Sequence, residues 1–235
     1  MDELGSISRL RRYPVKSMRG EDLETAQVET YGIAGDRLYA YVLDHPPNPR
    51  FPWMTAREAS EMLLYEPQFR SPGEIEVRTP DGGDYSISNL ALEETLEQKY
   101  GHAISLIHKE TGCHDSKPIS LLGLATVQQL ENETHIESLA PERFRANIYA
   151  DWDSHVPFFE DELVGKEIQI GSEGVVLKVV KKDSRCVIPT RDPETSRESP
   201  RVLQTIKEKH GGCFGVYAEV VSVGTIKLAD RISLI

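Results

Sequence analysis

The chain is poor in sulfur, in long apolar runs and in positive charge, and each shortage removes a class of function. Only three cysteines occur in 235 residues, Cys113, Cys186 and Cys213, and no two of them form a CxxC pair. So sparse and odd a count argues against a disulfide framework and for a reducing compartment. It also leaves too few thiolates for an iron–sulfur cluster held by this chain, since such clusters usually take about four. No apolar stretch approaches the roughly 20 residues that cross a bilayer, so no membrane association is expected. The opening Met1-Asp2-Glu3-Leu4-Gly5 is acidic and lacks the basic and apolar regions of a signal peptide, which makes the cytoplasm the expected location. Lys and Arg number 27 against 38 Asp and Glu, a formal net charge of −11. A nucleic-acid backbone would be repelled by most of such a surface, although a local basic pocket for a small anion is still allowed. Gly32-Ile33-Ala34-Gly35-Asp36-Arg37 is a glycine-marked turn, but it is not a GxGxxG fingerprint and no βαβ unit surrounds it, so no dinucleotide site is expected.

What is present is the composition of a soluble globular protein, 39% hydrophobic and 28% charged. The length allows one large domain or two small ones with a substantial core. Period-two alternation reads as strands over 7–12, 23–29, 38–43, 75–78 and 85–88, the last two joined as a hairpin by Asp81-Gly82-Gly83. His45-Pro46-Pro47-Asn48-Pro49-Arg50-Phe51-Pro52 is too proline-dense for regular structure. Helices are predicted over 92–100, over 120–133 (opened by Pro118) and over 200–209, the last closed by Gly211 and Gly212. Further strands are expected over 104–107, 143–149, 168–170, 175–180, 213–223 and 225–228. The strand over 143–149 would put Arg143, Arg145, Asn147 and Tyr149 on one face. Strands dominate and helices are few: the class is α+β, mainly β, with a barrel-like core.

One stretch stands out chemically. The apolar Val175-Val176-Leu177-Lys178-Val179-Val180 feeds into Lys181-Lys182-Asp183-Ser184-Arg185-Cys186, and prolines follow at Pro189 and Pro193. A thiol beside Arg and Lys ionises more readily, and the thiolate is both a nucleophile and a soft-metal ligand. The plain alternative is a small buried hydrophobe at a strand end. Three chemistries compete. Zinc on His102, His108, Cys113 and His114 lacks the usual cysteine pair. A Cys–His pair of Cys186 with His155 or His210 has no local protease signature. A cysteine-ligated metal carried on an anionic cofactor would use more of the unusual residues. Lys16, Ser17, Arg37, Arg145, Asn147 and Arg185 are of the right kinds to clamp a phosphate and a heterocycle. From residues alone the three remain open.

Tyr13-Pro14-Val15-Lys16-Ser17, Gly35-Asp36-Arg37, Phe144-Arg145-Ala146-Asn147-Ile148, Ser184-Arg185-Cys186, Thr190-Arg191-Asp192-Pro193-Glu194-Thr195 and Gly224-Thr225-Ile226-Lys227-Leu228-Ala229-Asp230 fall in one order along the chain. In that order they resemble MOSC proteins, the molybdenum cofactor sulfurase C-terminal domain family, and most nearly the mitochondrial amidoxime-reducing component and its bacterial relatives. The resemblance implies a β-rich N-terminal MOSC-associated domain over 1–95 and a β-barrel-like MOSC domain over 96–235. It implies a molybdenum pyranopterin cofactor (Mo-molybdopterin) with Cys186 as the protein ligand to the metal. It implies that Lys16, Ser17, Arg37, Arg145 and Asn147 hold the pterin and its phosphate, with Ser184 and Arg185 approaching through the cysteine loop. Ser116 and Lys117 stand where the family has two hydroxyl residues before proline, and the lysine is a departure. Asp192 is the implied proton-relay or positioning group. The implied activity is reduction of N-hydroxylated compounds such as amidoximes and hydroxylamines. Because this chain has no flavin or iron–sulfur motif, the electrons would come from an external donor protein of flavin, iron–sulfur or cytochrome type. The alternative is a carrier of cofactor or sulfur that uses Cys186.

Overall fold

Seven strands close into a ring, and the two ends of the chain complete it. The computed structural model describes residues 2–71, 73–172 and 174–235. Around the ring run Asp2–Arg12, Ile148–Trp152, Ile119–Gly123, Cys213–Ser222, Val175–Ser184, Glu167–Ile170 and Arg231–Leu234, which pairs back onto Asp2–Arg12. All pairings are antiparallel except that of Ile119–Gly123 with Ile148–Trp152. Alternate residues point inward, so Ile7, Ile148, Ile168, Leu177, Val216 and Ile232 meet in one apolar core. Helices α2 (Leu124–Thr134) and α3 (Pro200–His210) cover the outside, where Leu130, Val202 and Ile206 pack with Phe144 and Phe214.

The rest of the N-terminal half has its own core. Strand Tyr39–Leu43 pairs with Ile104–His108, and Glu66–Ser71, Glu74–Arg78 and Asp84–Ser86 form a meander. Tyr41, Met62, Val77, Leu92 and Leu96 are buried together there, the last two from helix α1 (Leu90–Tyr100). Val15 and Met18 belong to this second core. The segment leaving the first barrel strand therefore pins the two cores to each other. Among the described residues no helix is long and apolar enough to cross a membrane.

Register decides where the chemistry goes. Leu10 faces Ile148, Leu121 faces both Ile148 and Val216, and Val179 faces Ala218. The end of Asp2–Arg12 and the starts of Ile119–Gly123 and Ile148–Trp152 consequently share one rim, and Val175–Ser184, which runs away from that rim, meets it from the side, Lys181 facing Tyr217 and Tyr217 facing Ser120. Lys16 and Ser17, Ser116 and Lys117, and Arg145 and Asn147 lie on the loops of that rim, and Ser184 to Cys186 line the same cavity from the neighbouring strand's end.

Two predicted elements are corrected. The helix expected over 120–133 starts at Leu124, and Ile119–Gly123 is a strand with all five residues buried. An apolar run covered on both faces carries no alternation, and Leu121 and Leu124 matched helical spacing by coincidence. The strand expected over 143–149 begins only at Ile148; Pro141–Phe144 is a 3-10 turn, and Arg145 adopts φ 53°. Arg143 and Arg145 therefore do not share a strand face. Arg143 bonds the Thr190 carbonyl at 3.2 Å and Arg145 the Met18 carbonyl at 2.7 Å.

Candidate functional site

The rim loops and the end of strand Val175–Ser184 enclose a cavity of about 470 Å³ lined by residues from both halves of the chain. Eight of its side chains are Lys or Arg and two are Asp, in a protein whose net charge is −11. Such a concentration focuses positive potential in a concave, low-dielectric space, which favours an anionic guest.

Cys186 sits two residues beyond the end of strand Val175–Ser184, half-buried at the cavity wall. The preceding residue anchors it. Arg185 Nε donates to the Phe214 carbonyl and Nη1 to the Phe144 carbonyl, each at 2.8 Å, and Nη2 lies 2.9 Å from Asp183 Oδ2. Arg185 is thus a strut tying the cysteine loop to two neighbouring segments. Gly215 makes room for it: at φ 77° a side chain there would be strained, and a Cβ would sit 3.4 Å from Arg185 Nη2 and 2.9 Å from the Leu121 carbonyl. Register shifts between Val179 and Lys181 and between Lys182 and Ser184 break the strand's alternation, and Asp183 is only 2% exposed. Burial raises the Asp183 pKa against the pull of Arg185 and a hydrogen bond from Tyr217. Burial and Asp183 in turn push the Tyr217 hydroxyl up to about 12.

A second set of charges approaches the sulfur from the N-terminal half. Arg57 lines the cavity with Cys186, and against the effect of burial the Cys186 charge helps raise the Arg57 pKa; Arg57 Nη2 donates to Asp115 Oδ2 at 2.7 Å. The other Asp115 oxygen pairs with Lys16, whose ammonium also donates to the Cys113 carbonyl at 2.7 Å. Burial lowers the Lys16 pKa, helped by Arg37 and Arg57, while Asp115 opposes the change. The Asp115 carboxyl lies below the usual range: burial works to raise it, and Lys16 and Arg57 outweigh that. Neither Arg57 nor Asp115 stands among the residues expected from sequence. Asp115 lies beside the singled-out Ser116, whereas Arg57 sits in an ordinary-looking turn with no local signal.

Arg37 pairs with the fully buried Asp36, and its Nη2 donates to the Arg145 carbonyl at 3.0 Å. Arg145 lies 4.3 Å over the face of Tyr13 and pairs with no carboxylate among the described residues, and its Nη2 is buried without an acceptor. Burial, with Arg37 and Arg11 nearby, lowers the Arg145 pKa to about 10, so it stays charged but unfavourably so. Ser17, Arg37 and Arg145 are all non-glycine residues in the left-handed region, at φ 67°, 53° and 53°. Backbone strain gathered at one cavity is characteristic of sites whose geometry is imposed by the surrounding fold.

All the residues that the family resemblance implies line the cavity except Asp192. Asp192 Oδ2 accepts from Arg143 at 2.7 Å, and Oδ1 accepts from the backbone of Glu194 and Thr195, which caps its own turn. Asn147 reaches the cavity with its amide already engaged: Oδ1 accepts from Ser120 at 3.2 Å and Nδ2 donates to the Arg11 carbonyl. Lys117 pairs with Glu219. His155 and His210 do not line the cavity; His210 bonds Glu133 at 2.7 Å and stacks on Phe158. The zinc quartet fails as well, since the described residues hold no cluster of three or more metal-binding side chains. His114 is the one histidine lining the cavity, and burial together with Arg37 and Lys16 lowers its pKa to about 4.

The model of the MOSC domain matches residues 108–233, and that of the MOSC N-terminal beta barrel domain matches 4–112. No curated protein matches the sequence. Among solved structures, the YUAD protein from Bacillus subtilis is 13% identical, with 98% of this chain and 95% of that chain covered and a TM-score of 0.56. That likeness shows a shared fold. A hypothetical protein is 8% identical over 99% of this chain and 68% of its own, with a TM-score of 0.48. YiiM from Geobacillus stearothermophilus is 15% identical over 50% of this chain and 54% of its own, with a TM-score of 0.39. The two family models tile residues 4–233 and meet across the rim cavity, so the chain belongs to the MOSC domain family, whose members are associated with the molybdenum cofactor.

Proposed function

We propose that the rim cavity holds a molybdenum pyranopterin with Cys186 as the protein ligand to the metal, and that the protein reduces N-hydroxylated compounds. The observation that carries this reading is a single half-buried thiol at the wall of a cavity with eight cations and two carboxylates. One thiolate is too little to hold a metal by itself, so a metal there would bring its other ligands with it. The cavity suits the anionic part of such a group. Arg145 offers a buried N–H without an acceptor, and Arg57 offers another at Nη1. Lys16, Ser17, Arg37, Ser116, Lys117 and Ser184 supply the remaining polar wall. Arg185 and Asn147, committed to protein partners, serve as supports that set the cysteine loop and the Arg145 turn.

When bound, the cofactor would supply two-electron chemistry at its metal. Reduction of an N-hydroxylated substrate breaks the N–O bond and consumes two electrons and two protons, giving the amine or amidine and water. The electrons come from an external donor protein of flavin, iron–sulfur or cytochrome type. This chain's residues orient the guest, exclude water from the rim and keep the sulfur within reach of Arg57. Asp183 and Tyr217, both on the cavity wall, are the proton-holding groups nearest the cysteine loop in sequence or pairing.

The test is metal and pterin analysis of protein purified from a host that makes the cofactor, followed by benzamidoxime reduction with an artificial electron donor. Bound molybdopterin with turnover is expected. Bound molybdopterin without turnover would favour a carrier of cofactor or sulfur, and absence of molybdenum would refute both readings.

A further inference from the structure

Behind Arg145 lies a second cavity of about 320 Å³, which shares Arg143, Arg145 and Ile188 with the first. Six arginines line it, against the carboxylates Asp22, Glu142 and Glu194. Ion pairs take up part of this charge. Arg9 is 2.6 Å from Glu142, Arg11 Nη1 is 3.2 Å from both Asp22 and Glu142, Arg19 is 2.7 Å from Glu66 and 3.2 Å from Glu194, Arg143 is 2.7 Å from Asp192 and Arg191 is 3.0 Å from Glu198. Even so, five of the guanidiniums keep a buried N–H with no acceptor: Nε of Arg11, Arg19, Arg143 and Arg191, and Nη2 of Arg145. Of the ten such side-chain atoms among the described residues, half belong to this one lining. Arg11 and Arg143 are each only 6% exposed, so bulk water is a poor substitute for the missing acceptors. The ring of Tyr13, itself 1% exposed, carries the Arg11 and Arg145 guanidiniums at 6.0 and 4.3 Å.

We propose that this second cavity is a binding site for a small oxyanion of the phosphate or carboxylate class. Every unsatisfied group in it is a donor on a planar guanidinium, and such forks match the paired oxygens of an oxyanion. With Glu66, Asp192 and Glu198, the carboxylates paired to these arginines match them in number, so a guest would be held by the unmet guanidinium donors rather than by net charge, which suits a small anion of low charge. Two sources share this chemistry: a free anion, or the anionic tail of a guest whose body lies in front of Arg145. The inference does not require molybdenum in the first cavity.

The experiment titrates inorganic phosphate into the cofactor-free full chain by calorimetry at low salt. Two sites are expected. Arg19→Gln combined with Arg191→Gln, both outside the first cavity and partly exposed, weakens one site by about tenfold or more and spares the other. Lys181→Gln, in the first cavity only, does the reverse. Independently of any variant, the Nε–H resonances of Arg11 and Arg19, which line the second cavity only, shift when phosphate is added to the wild type. In chain loaded with the cofactor, one surviving phosphate site identifies a free anion as the occupant, and the loss of both sites identifies the guest's tail. A single phosphate site in the cofactor-free wild type, or unmoved Arg11 and Arg19 resonances, overturns the proposal.

Discussion

His114 gives the sharpest quantitative test of the cavity's electrostatics. Its Nε2 is buried without a partner among the described residues. Burial is the largest cause of its depressed pKa, followed by Arg37; Asp36 and the Tyr31 carbonyl pull the other way, and Lys16 adds to the depression. The folded value of about 4 lies below the ordinary 6.5. The unfolded chain therefore binds the extra proton first as the pH falls. Stability is fully present above 6.5, begins to fall below it and is lost progressively down to about 4. The full difference corresponds to about 3 kcal/mol, of which about 2 kcal/mol is already lost at pH 5. The assay is urea unfolding of wild type and His114→Gln at pH 8 and pH 5, with the imidazole followed by NMR. Other acidic groups titrate in both proteins, so the difference between them isolates His114. Wild type should lose about 2 kcal/mol more than the variant. Parallel losses, or a His114 resonance titrating near its ordinary value, would refute the burial argument.

Three further outcomes follow from particular contacts. Glu160, fully buried, accepts from the Gly123 amide at 3.1 Å, Thr126 Oγ1 at 3.1 Å and Trp152 Nε1 at 3.2 Å; Glu160→Ala strands these donors and should cost about 3 kcal/mol in denaturant unfolding, and a loss under about 1 kcal/mol would show that water replaces the carboxylate. Arg185→Ala leaves Asp183 buried and unpaired, at about 3 kcal/mol; adding Asp183→Asn should recover part of that, and no recovery would mean that the carbonyl contacts alone matter. Cys186→Ala should abolish reductase activity with an unchanged circular dichroism spectrum, and Arg145→Ala should lower molybdenum content; normal turnover in the first or full occupancy in the second would remove the corresponding residue from the proposed site.

The barrel was legible where burial is one-sided. Alternation in 7–12 and 23–29 marked strands that keep an exposed face. It failed at Ile119–Gly123, because a strand covered on both faces has no polar face to display. The hairpin around Gly82 and the helix closed at Gly211 were readable from residues whose backbone preferences are local. Arg145 was recognisable as a motif residue, but its left-handed conformation is imposed by the Pro141–Phe144 turn and the packing around it.

By itself the sequence determined the class, the acidic surface, the cysteine at a strand end and the set of cations that resembles the MOSC family. Only the tertiary structure decided what each cation is free to do. Arg185 and Lys117 are occupied by Phe214, Phe144, Asp183 and Glu219, whereas Arg145 keeps an unmet donor. It also brought Arg57 and Asp115 to Cys186 and removed Asp192 from the cavity. The reason is physical. A side chain's type is written in the chain, but its partners depend on which loops share a rim, and strand register over long sequence separations sets that.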